Sequence, residues 1–384
     1  MKFGICLTDI TCMGGVETVS IALARKMKEM GAGCEIISCC GKKGIVRWSG
    51  RTIYAGVQSR CLNKHDIRKI KKIVTERAYD AVIMQLNTPH KSCMLANKRF
   101  IKELSEVSEI YITLHNSPKS FLKRYRLYQE SWFSYMMKKL LTIVKYRPRA
   151  LWFLKSSRRY VQKYITLSKG AYWELKKYFG LESAVCYNAI DFIEISEPVK
   201  KDNVILWAGR FCEEKNLPLL LDAWDEANVL DWRLHIIGDG SMRKWLENRT
   251  KTMSRIDVSG LCSHEDVLEQ MKRSKIFVLT SFYEGFPTVI TEASNMGNAI
   301  ITVRYDGFSD ELLKPENSIC TGYSKQELAA AIQAMAGSEE SVYSMGQNSY
   351  HICRKFCRQS SENNFWKNII NMDNNGAETD AKKG

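Results

Sequence analysis

The chain has 384 residues, of which 45% are hydrophobic and 26% are charged, with only 7 prolines. This composition excludes a disordered, collagen-like or linker-dominated protein, and the length predicts two globular domains. The formal net charge of +15 is concentrated in residues 119–178, which contain 16 Lys and Arg against two acids, so we expect an anionic partner for this region.

Short apolar runs alternate with helical patterns in the first half of the chain, as expected for parallel strands joined by crossover helices. We predict strands at Lys2–Thr8, Cys34–Cys39, Ala81–Leu86 and Ile110–Leu114, helices at Val16–Met30 and Asp66–Arg77, and a last strand at Tyr164–Ser168 followed by a helix. The pattern predicts a doubly wound, Rossmann-like α/β domain over residues 1–190.

The apolar periodicity lapses between residues 187 and 203, and a second alternating series follows. We predict strands at Val204–Ala208, Leu234–Ile237, Ile256–Val258, Ile276–Leu279 and Ala299–Val303, and helices at Leu217–Ala227, Ser241–Arg249, Glu265–Arg273, Thr288–Met296 and Gln326–Met335. These elements predict a second Rossmann-like domain over residues 191–354. A last helix is expected at Lys355–Ile370, within a segment 355–372, and a disordered tail at 373–384.

No charge-free apolar run reaches the roughly 18 residues needed to span a bilayer, and the first ten residues are a poor signal peptide. We therefore expect a cytoplasmic location. The 13 cysteines are scattered without paired C-x2-C units, which favours buried thiols over a zinc site.

The segment TCMGGVE at Thr11–Glu17 joins the first predicted strand to the first helix. Backbone amides at such a helix start, together with the positive end of the helix dipole, can receive an anion, and Gly14 and Gly15 let a ligand approach the backbone. A plain tight turn remains the alternative.

A second motif, A-G-R-F-C-E-E-K-N, follows the first strand of the second domain and places Arg210 and Lys215 just past its carboxyl end. Ligands bind at this edge of open α/β sheets, and two cations there could clamp a diphosphate. The alternative is a solvated pair beside Glu213 and Glu214.

The third motif is SFYEGFPTVITE at Ser281–Glu292, between a buried strand and a helix. Pro287 suits a helix start, so Thr288 and Val289 could present backbone amides to a phosphate. Glu284 and Glu292 stand on either side of this anion site, where carboxylates could accept hydrogen bonds from sugar hydroxyls.

Together, GGVE, AGR-x4-K, IIGDG at Ile236–Gly240 and E-G-F-P-x4-E resemble the retaining glycosyltransferases of family 4. The resemblance implies the GT-B fold, in which two Rossmann-like domains face each other across a cleft. It also implies a nucleotide-sugar donor on the second domain, an acceptor on the first, and a C-terminal helix that crosses back to the first domain.

The same resemblance implies roles for individual residues. Arg210 and Lys215 would hold the donor diphosphate without a metal, since no D-x-D motif is found. Glu292 would bind the ribose, Glu284 would contact the donor sugar, and attack from the front face would retain the anomeric configuration. The remaining donor contacts implied are Gly14, Gly15, Gly285, Phe286, Pro287, Thr288 and Val289 at the phosphate and sugar, and Gly238, Gly240, Gly260 and Leu261 near the base.

His115, in the segment TLHNSP, ends a predicted strand of the first domain. The resemblance implies that it contacts the donor sugar or the acceptor, and the alternative is a structural histidine. With Glu284, Arg210 and Lys215 it completes the predicted catalytic set. Asn298 stands where many family members have proline, which leaves the choice of donor sugar open.

An amphipathic helix is predicted at Phe133–Val144 within the basic region. Its apolar residues are Phe133, Met136, Met137, Leu140, Leu141 and Val144, with Lys138 and Lys139 between them. Such a face suits an anionic membrane, and the two alternatives are packing on the first domain and binding of nucleic acid.

We therefore expect a cytoplasmic, peripheral membrane hexosyltransferase on the inner face of the cell membrane. It would transfer a sugar from a nucleoside diphosphate donor, UDP-linked, to a glycan or lipid-linked glycan in cell-surface polysaccharide synthesis, with no metal cofactor and no nucleic-acid partner. The alternative from a different class is a non-catalytic GT-B-like binding or scaffold protein at the membrane surface.

Overall fold

The computed structural model describes residues 1–12, 15–41, 50–58, 61–87, 94–122, 132–188, 192 and 200–362. The chain divides into two compact units, each built on a parallel sheet. Among the described residues, 1–122, 137–188 and 360–362 belong to the first unit, and 132–136, 192 and 200–359 belong to the second. The predicted tail at 373–384 and residues 363–372 of the predicted last segment lie outside the described residues.

The first unit contains a seven-stranded sheet in the order β3-β2-β1-β4-β5-β6-β7. Its strands are Lys2–Leu7 (β1), Gly33–Ser38 (β2), Thr52–Tyr54 (β3), Ala81–Leu86 (β4), Glu109–Leu114 (β5), Lys163–Thr166 (β6) and Ser183–Val185 (β7). The helices of this part of the chain are Gly15–Glu29 (α1), Lys64–Arg77 (α2), Lys98–Ser105 (α3), Trp132–Leu141 (α4), Arg147–Ser157 (α5) and Lys169–Phe179 (α6), with a π-helical turn at Thr142–Tyr146 between α4 and α5. Every residue of β4 is buried, because helices cover both faces of a parallel sheet.

The second unit contains a six-stranded parallel sheet in the order β10-β9-β8-β11-β12-β13. Its strands are Asp202–Ala208 (β8), Arg233–Ile237 (β9), Ile256–Ser259 (β10), Ser274–Leu279 (β11), Ala299–Val303 (β12) and Ser318–Thr321 (β13). Its helices are Leu217–Ala227 (α7), Arg243–Thr250 (α8), His264–Arg273 (α9), Thr288–Asn295 (α10), Lys325–Ala336 (α11) and Glu339–Glu362 (α12). The order of strands reverses between β8 and β11, which makes this the switch point where ligands bind in open α/β sheets.

The predicted α/β class with two Rossmann-like, doubly wound sheets is confirmed. Sequence analysis missed the short strands β3, β7 and β13, of three or four residues each, and the helices α3 and α5. The predicted start of the last helix at Lys355 is wrong, since α12 begins at Glu339. The proposed domain boundary at residue 355 therefore falls inside a continuous helix, whose first turns continue the second unit.

Asn298 has a structural explanation in the second unit. Its side-chain amide is buried and donates to the carbonyls of Met271 and Ser274, at 2.9 and 2.6 Å, at the end of α9. The ammonium of Lys201 donates to the same two carbonyls and to that of Met296, at 2.9 Å, although burial lowers its pKa to about 8. Both side chains thus satisfy carbonyls at helix ends, which would otherwise lack hydrogen-bond donors.

Candidate functional site

The loops that follow β8 and β11 lie side by side at the switch point of the second sheet. The Thr280 hydroxyl donates to the Lys215 carbonyl at 2.8 Å, and the Phe282 amide donates to the Glu214 carbonyl at 2.9 Å. These two bonds join the segment that carries Arg210 and Lys215 to the segment that carries Glu284. Two of the three sequence motifs are therefore parts of one site.

Lys215 and Glu284 form a direct ion pair in this site. The Lys215 ammonium lies 2.5 Å from Glu284 Oε1, and the two side chains are only 21% and 13% exposed. Partial removal from water strengthens such a charge-assisted hydrogen bond. The residues predicted to hold the diphosphate and the sugar are thus in contact with each other.

Arg210 adds a second cation to the same loop. Its side chain is exposed, and it interacts electrostatically with Glu214. Burial alone would raise the pKa of Glu214, but hydrogen bonds from the Cys212 thiol and a backbone amide, with the charges of Arg210 and Lys215, lower it. The alternative of a solvated pair beside Glu213 and Glu214 does not describe Lys215, which is bound to Glu284, and the predicted diphosphate contact of Arg210 stays a prediction.

The loop after β12 supports the backbone of Glu284. The Glu284 amide donates to the Asp306 carbonyl at 3.0 Å, and the Asp306 amide donates to the Phe282 carbonyl at 2.9 Å. Sequence analysis missed Asp306 in this role. The Asp-Gly pair at 306–307, three residues after a buried strand, is a sequence pattern typical of a turn and could have indicated this position. In the structure, Gly307 lies in the left-handed region at φ 84°.

Helix α10 begins four residues after Glu284, at Thr288. Pro287 precedes the helix, and its carbonyl accepts from the Ile290 amide at 3.0 Å. The amides of Thr288 and Val289 belong to the first turn, which has no intrahelical acceptors. Phe286 is buried and stacks on Phe356, with ring centroids 5.6 Å apart, so only the backbone of the Gly285–Pro287 segment is suited to contact a ligand.

Glu292 lies in α10 with its carboxylate 4.0 Å from the Nε2 atom of His264. Burial raises the pKa of Glu292, and the nearby His264 opposes this shift. Sequence analysis missed His264. The S-x-x-D capping box formed by Ser263 and Asp266 fixes the start of α9 at this histidine, and that pattern could have indicated its position.

Gly238 and Gly240 pack against the loop that carries Arg210. Both have backbone conformations that disfavour other residues, with φ of 148° and 156°. A Cβ on Gly238 would lie 1.9 Å from the Gly209 carbonyl oxygen, and one on Gly240 would lie 2.4 Å from that of Phe211. Close packing is therefore a sufficient reason for these glycines, and their predicted contact with the base stays a prediction.

The other residues predicted near the base follow β10. A Cβ on Gly260 would meet only the Arg243 guanidinium, at 3.4 Å, so packing does not require glycine there. Leu261 is 83% exposed. The predicted contacts of Gly260 and Leu261 with the base stay predictions.

The predicted site residues of the first unit have different surroundings. Gly14 lies outside the described residues, and Gly15 begins α1 with open space where a Cβ would stand. His115 follows β5 and is buried, with Nε2 2.5 Å from Gln85 Oε1. Burial lowers the pKa of His115 to about 4, so this imidazole is neutral at physiological pH.

The apolar side chains of the predicted amphipathic helix are exposed. Phe133, Met136, Met137, Leu140, Leu141 and Val144 have exposed fractions between 39% and 69%. The alternative in which this stripe packs on the first domain therefore lacks support. Within the described part of the chain, no helix is long and apolar enough to cross a membrane, and no group of three or more metal-ligating side chains was found.

Comparison with solved structures identifies the fold. A TarM mutant from S. aureus, crystallised with Fondaparinux, alpha-GlcNAc-glycerol and UDP, superposes with a TM-score of 0.73 at 9% sequence identity, covering 97% of this chain and 100% of that chain. TarM is a GT-B glycosyltransferase. The present chain has the GT-B fold.

Sequence comparisons agree with this assignment. Residues 189–352 match the family model of "Glycosyl transferases group 1". The chain is 28% identical over 142 residues to the amylovoran biosynthesis glycosyltransferase AmsD of Erwinia amylovora, covering 37% of this chain and 40% of that protein. It is 27% identical over 171 residues to an alpha-1,4-N-acetyl-D-galactosaminyltransferase of Campylobacter jejuni, covering 43% and 47%. These matches thus span less than half the length of either relative.

Proposed function

We propose that this protein is a retaining glycosyltransferase that transfers a hexose from a UDP-sugar to a glycan or lipid-linked glycan acceptor. The single observation that carries the proposal is the ion pair of Lys215 with Glu284 at the switch point of the second sheet, with the charge of Arg210 acting on Glu214 of the same loop. Two cations and a carboxylate there match the needs of a sugar diphosphate, which presents an anion beside hydroxyl groups. The UDP in the crystals of TarM supports this choice of nucleotide.

The proposed mechanism assigns each charge a task. Arg210 and Lys215 hold the diphosphate and neutralise the negative charge that develops on it as the sugar leaves. The amides of Thr288 and Val289 contribute further donors, and the Glu292 carboxylate accepts from the ribose hydroxyls. Because these cations stabilise the leaving group, we propose that no metal is required.

Glu284 contacts the donor sugar once the diphosphate has replaced it as the partner of the Lys215 ammonium. The acceptor hydroxyl attacks from the face that the leaving group vacates, and a phosphate oxygen takes its proton, so the configuration is retained. His115 contributes hydrogen bonds to sugar or acceptor in its neutral form, since its low pKa excludes a charged imidazole at physiological pH.

We further propose that the acceptor is carried on a membrane lipid at the inner face of the cell membrane, in cell-surface polysaccharide synthesis. The name of the Campylobacter relative describes an acceptor linked through PP to undecaprenol, and AmsD serves amylovoran biosynthesis. In the present chain, the exposed apolar residues beside many Lys and Arg are typical of an interfacial surface.

A panel of nucleotide sugars tests the proposal. The preferred donor should raise the melting temperature, because a ligand at 100 times its dissociation constant adds about 2.7 kcal/mol to stability. Release of UDP, the anomeric configuration of the product by NMR, and turnover in EDTA then test transfer, retention and metal independence. Donor binding without turnover on any lipid-linked or soluble glycan would favour the non-catalytic alternative, and the absence of donor binding would refute the transferase.

A further inference from the structure

A pocket of about 670 Å³ lies in the first unit between α3, α5 and the segment before α2. Five of its lining residues are basic, namely Lys98, Arg99, Lys102, Arg149 and Arg159. None of the lining residues that the structure describes is acidic. Converging cations in a concave site raise the local potential and favour a ligand with more than one negative charge.

Nearby aromatic rings and the carboxylates of Glu103 and Glu106 position these cations without cancelling their charge. Lys98 Nζ lies 5.3 Å from the centroid of the Trp152 ring, and the Arg159 guanidinium lies 4.8 Å from that of Tyr160. A ring face attracts a cation but leaves its charge in place. Arg99 is 3.7 Å from Glu103, which is shared with Lys71 at 3.2 Å. The pocket therefore keeps a large positive charge.

Exposed apolar side chains lie along the helical segment that leads into this pocket. Trp152 lines the pocket and is 57% exposed. The preceding residues of the same unit include five large apolar side chains that are 40% to 67% exposed: Met137, Leu140, Leu141, Ile143 and Val144. In a bilayer, the phosphates lie next to the acyl chains. The cations and aromatic rings of the pocket suit the phosphate layer, and the exposed apolar side chains suit the acyl chains.

We infer that this pocket binds the phosphate of a membrane lipid head group while the exposed apolar residues between Met137 and Val144 enter the acyl-chain region. The inference rests on the proposed location of the protein at a membrane, and it assigns the lipid phosphate to this pocket. It differs from general attraction between a basic protein and an anionic surface, which depends on the number of charges and hardly on their positions.

Helix α5 offers a matched control for this difference. Arg147 and Lys155 are exposed on α5 but do not line the pocket, whereas Arg149 and Lys102 do. The pocket variant combines Arg149→Gln with Lys102→Gln, and the control variant combines Arg147→Gln with Lys155→Gln. Both variants lose two positive charges. Both are compared in cosedimentation with phosphatidylcholine vesicles that contain about 20 mol % phosphatidylglycerol.

The control variant should lose up to about thirtyfold in vesicle affinity through general attraction, and the pocket variant at least about tenfold more, because it also loses charge-assisted contacts with a phosphate. Equal losses in the two variants would overturn the pocket, as would full binding by the pocket variant. Absence of binding by the unaltered protein would overturn the inference as a whole. Circular dichroism and thermal unfolding check that both variants are folded.

Two exposed cysteines provide a positional measurement. Cys61 lines the pocket, and Cys320 lies on β13 of the second unit. Vesicles should slow maleimide modification of Cys61 severalfold, measured by peptide mass spectrometry, and leave Cys320 unchanged. Equal protection of Cys61 by inorganic phosphate or by an RNA oligonucleotide at the same ionic strength would overturn the lipid as the occupant.

The same variants separate this inference from the proposed transferase activity. UDP-sugar binding is measured without vesicles and should be equal in the unaltered protein and both double variants, because none of the altered residues belongs to the second unit. Loss of donor binding in the unaltered protein would refute the proposed activity but not the pocket. Normal transfer to a soluble acceptor with equal vesicle binding by both variants would refute the pocket alone.

Discussion

Gly238→Ala tests the packing of the glycine loop against the loop that carries Arg210. The new Cβ would lie 1.9 Å from the Gly209 carbonyl oxygen, where real Cβ atoms stay beyond 3.0 Å, so the two loops must separate by about 1 Å. Alanine at φ 148° adds about 1–3 kcal/mol of backbone strain. Weakening the bonds from the Gly209 amide to Ile237 and from the Phe211 amide to Asp239 adds about 1 kcal/mol each.

The sum is about 3–5 kcal/mol, which corresponds to a fall of about 10 °C in the melting temperature for a unit of this size. Because Arg210 moves with its loop, UDP affinity should fall as well. Circular dichroism and isothermal titration measure the two effects. Gly260→Ala is the control, since its Cβ meets only a flexible guanidinium, and it should change the melting temperature by less than about 2 °C. A Gly238→Ala protein that melts and binds UDP like the unaltered protein would refute the reasoning.

Three further changes test individual side chains. Lys215→Ala should weaken UDP binding about 10- to 100-fold in titration calorimetry, since a charge-assisted contact is lost. Glu292→Gln should flatten the pH dependence of UDP affinity. Burial raises the pKa of Glu292, so as the pH falls this carboxylate is protonated earlier than an ordinary glutamate, and UDP affinity is lost with it. His115 has a pKa of about 6.5 unfolded and about 4 folded, so its contribution to stability in urea should fall by up to about 3 kcal/mol as the pH is lowered from 6.5 to 4. His115→Gln should make this slope shallower and leave the smaller contribution of His235, whose pKa is also lowered by burial.

Exposed residues of the same types serve as controls for these three changes. Lys251→Ala should leave UDP affinity unchanged, Glu269→Gln should keep its pH dependence, and His65→Gln should keep the pH dependence of stability. Unchanged UDP affinity in Lys215→Ala would contradict the diphosphate contact. A Glu292→Gln protein that keeps the full pH dependence would exclude ribose binding through this carboxylate. A slope as steep in His115→Gln as in the unaltered protein would place the titrating group elsewhere.

The central strands could be predicted from the sequence because burial on both faces leaves a continuous apolar run. β4 was predicted with its observed bounds at Ala81–Leu86, and β8, β11 and β12 were recognised in the same way. β3, β7 and β13 contain three or four residues that are mostly half-buried or exposed, so their pattern resembles that of a loop.

The contacts within the site could not be predicted, because they depend on which strands are neighbours. Lys215 and Glu284 are 69 residues apart, and they meet since β8 pairs with β11 across the strand switch. Sequence patterns placed each residue at a strand end but did not show that the two form an ion pair. The packing role of Gly238 was hidden for the same reason, since its neighbour Gly209 lies on another strand connection.

The ion pair between Lys215 and Glu284 means that this ammonium already has an anionic partner within the protein. Under the proposed function, an incoming diphosphate competes with this carboxylate for the ammonium. The measured donor affinity is therefore the difference between the new contact with the diphosphate and the lost contact with Glu284. The exchange also liberates Glu284 only when a donor has arrived. On that proposal, Lys215 balances the charge of Glu284 whenever no donor is bound, and donor binding makes the carboxylate available to a sugar hydroxyl.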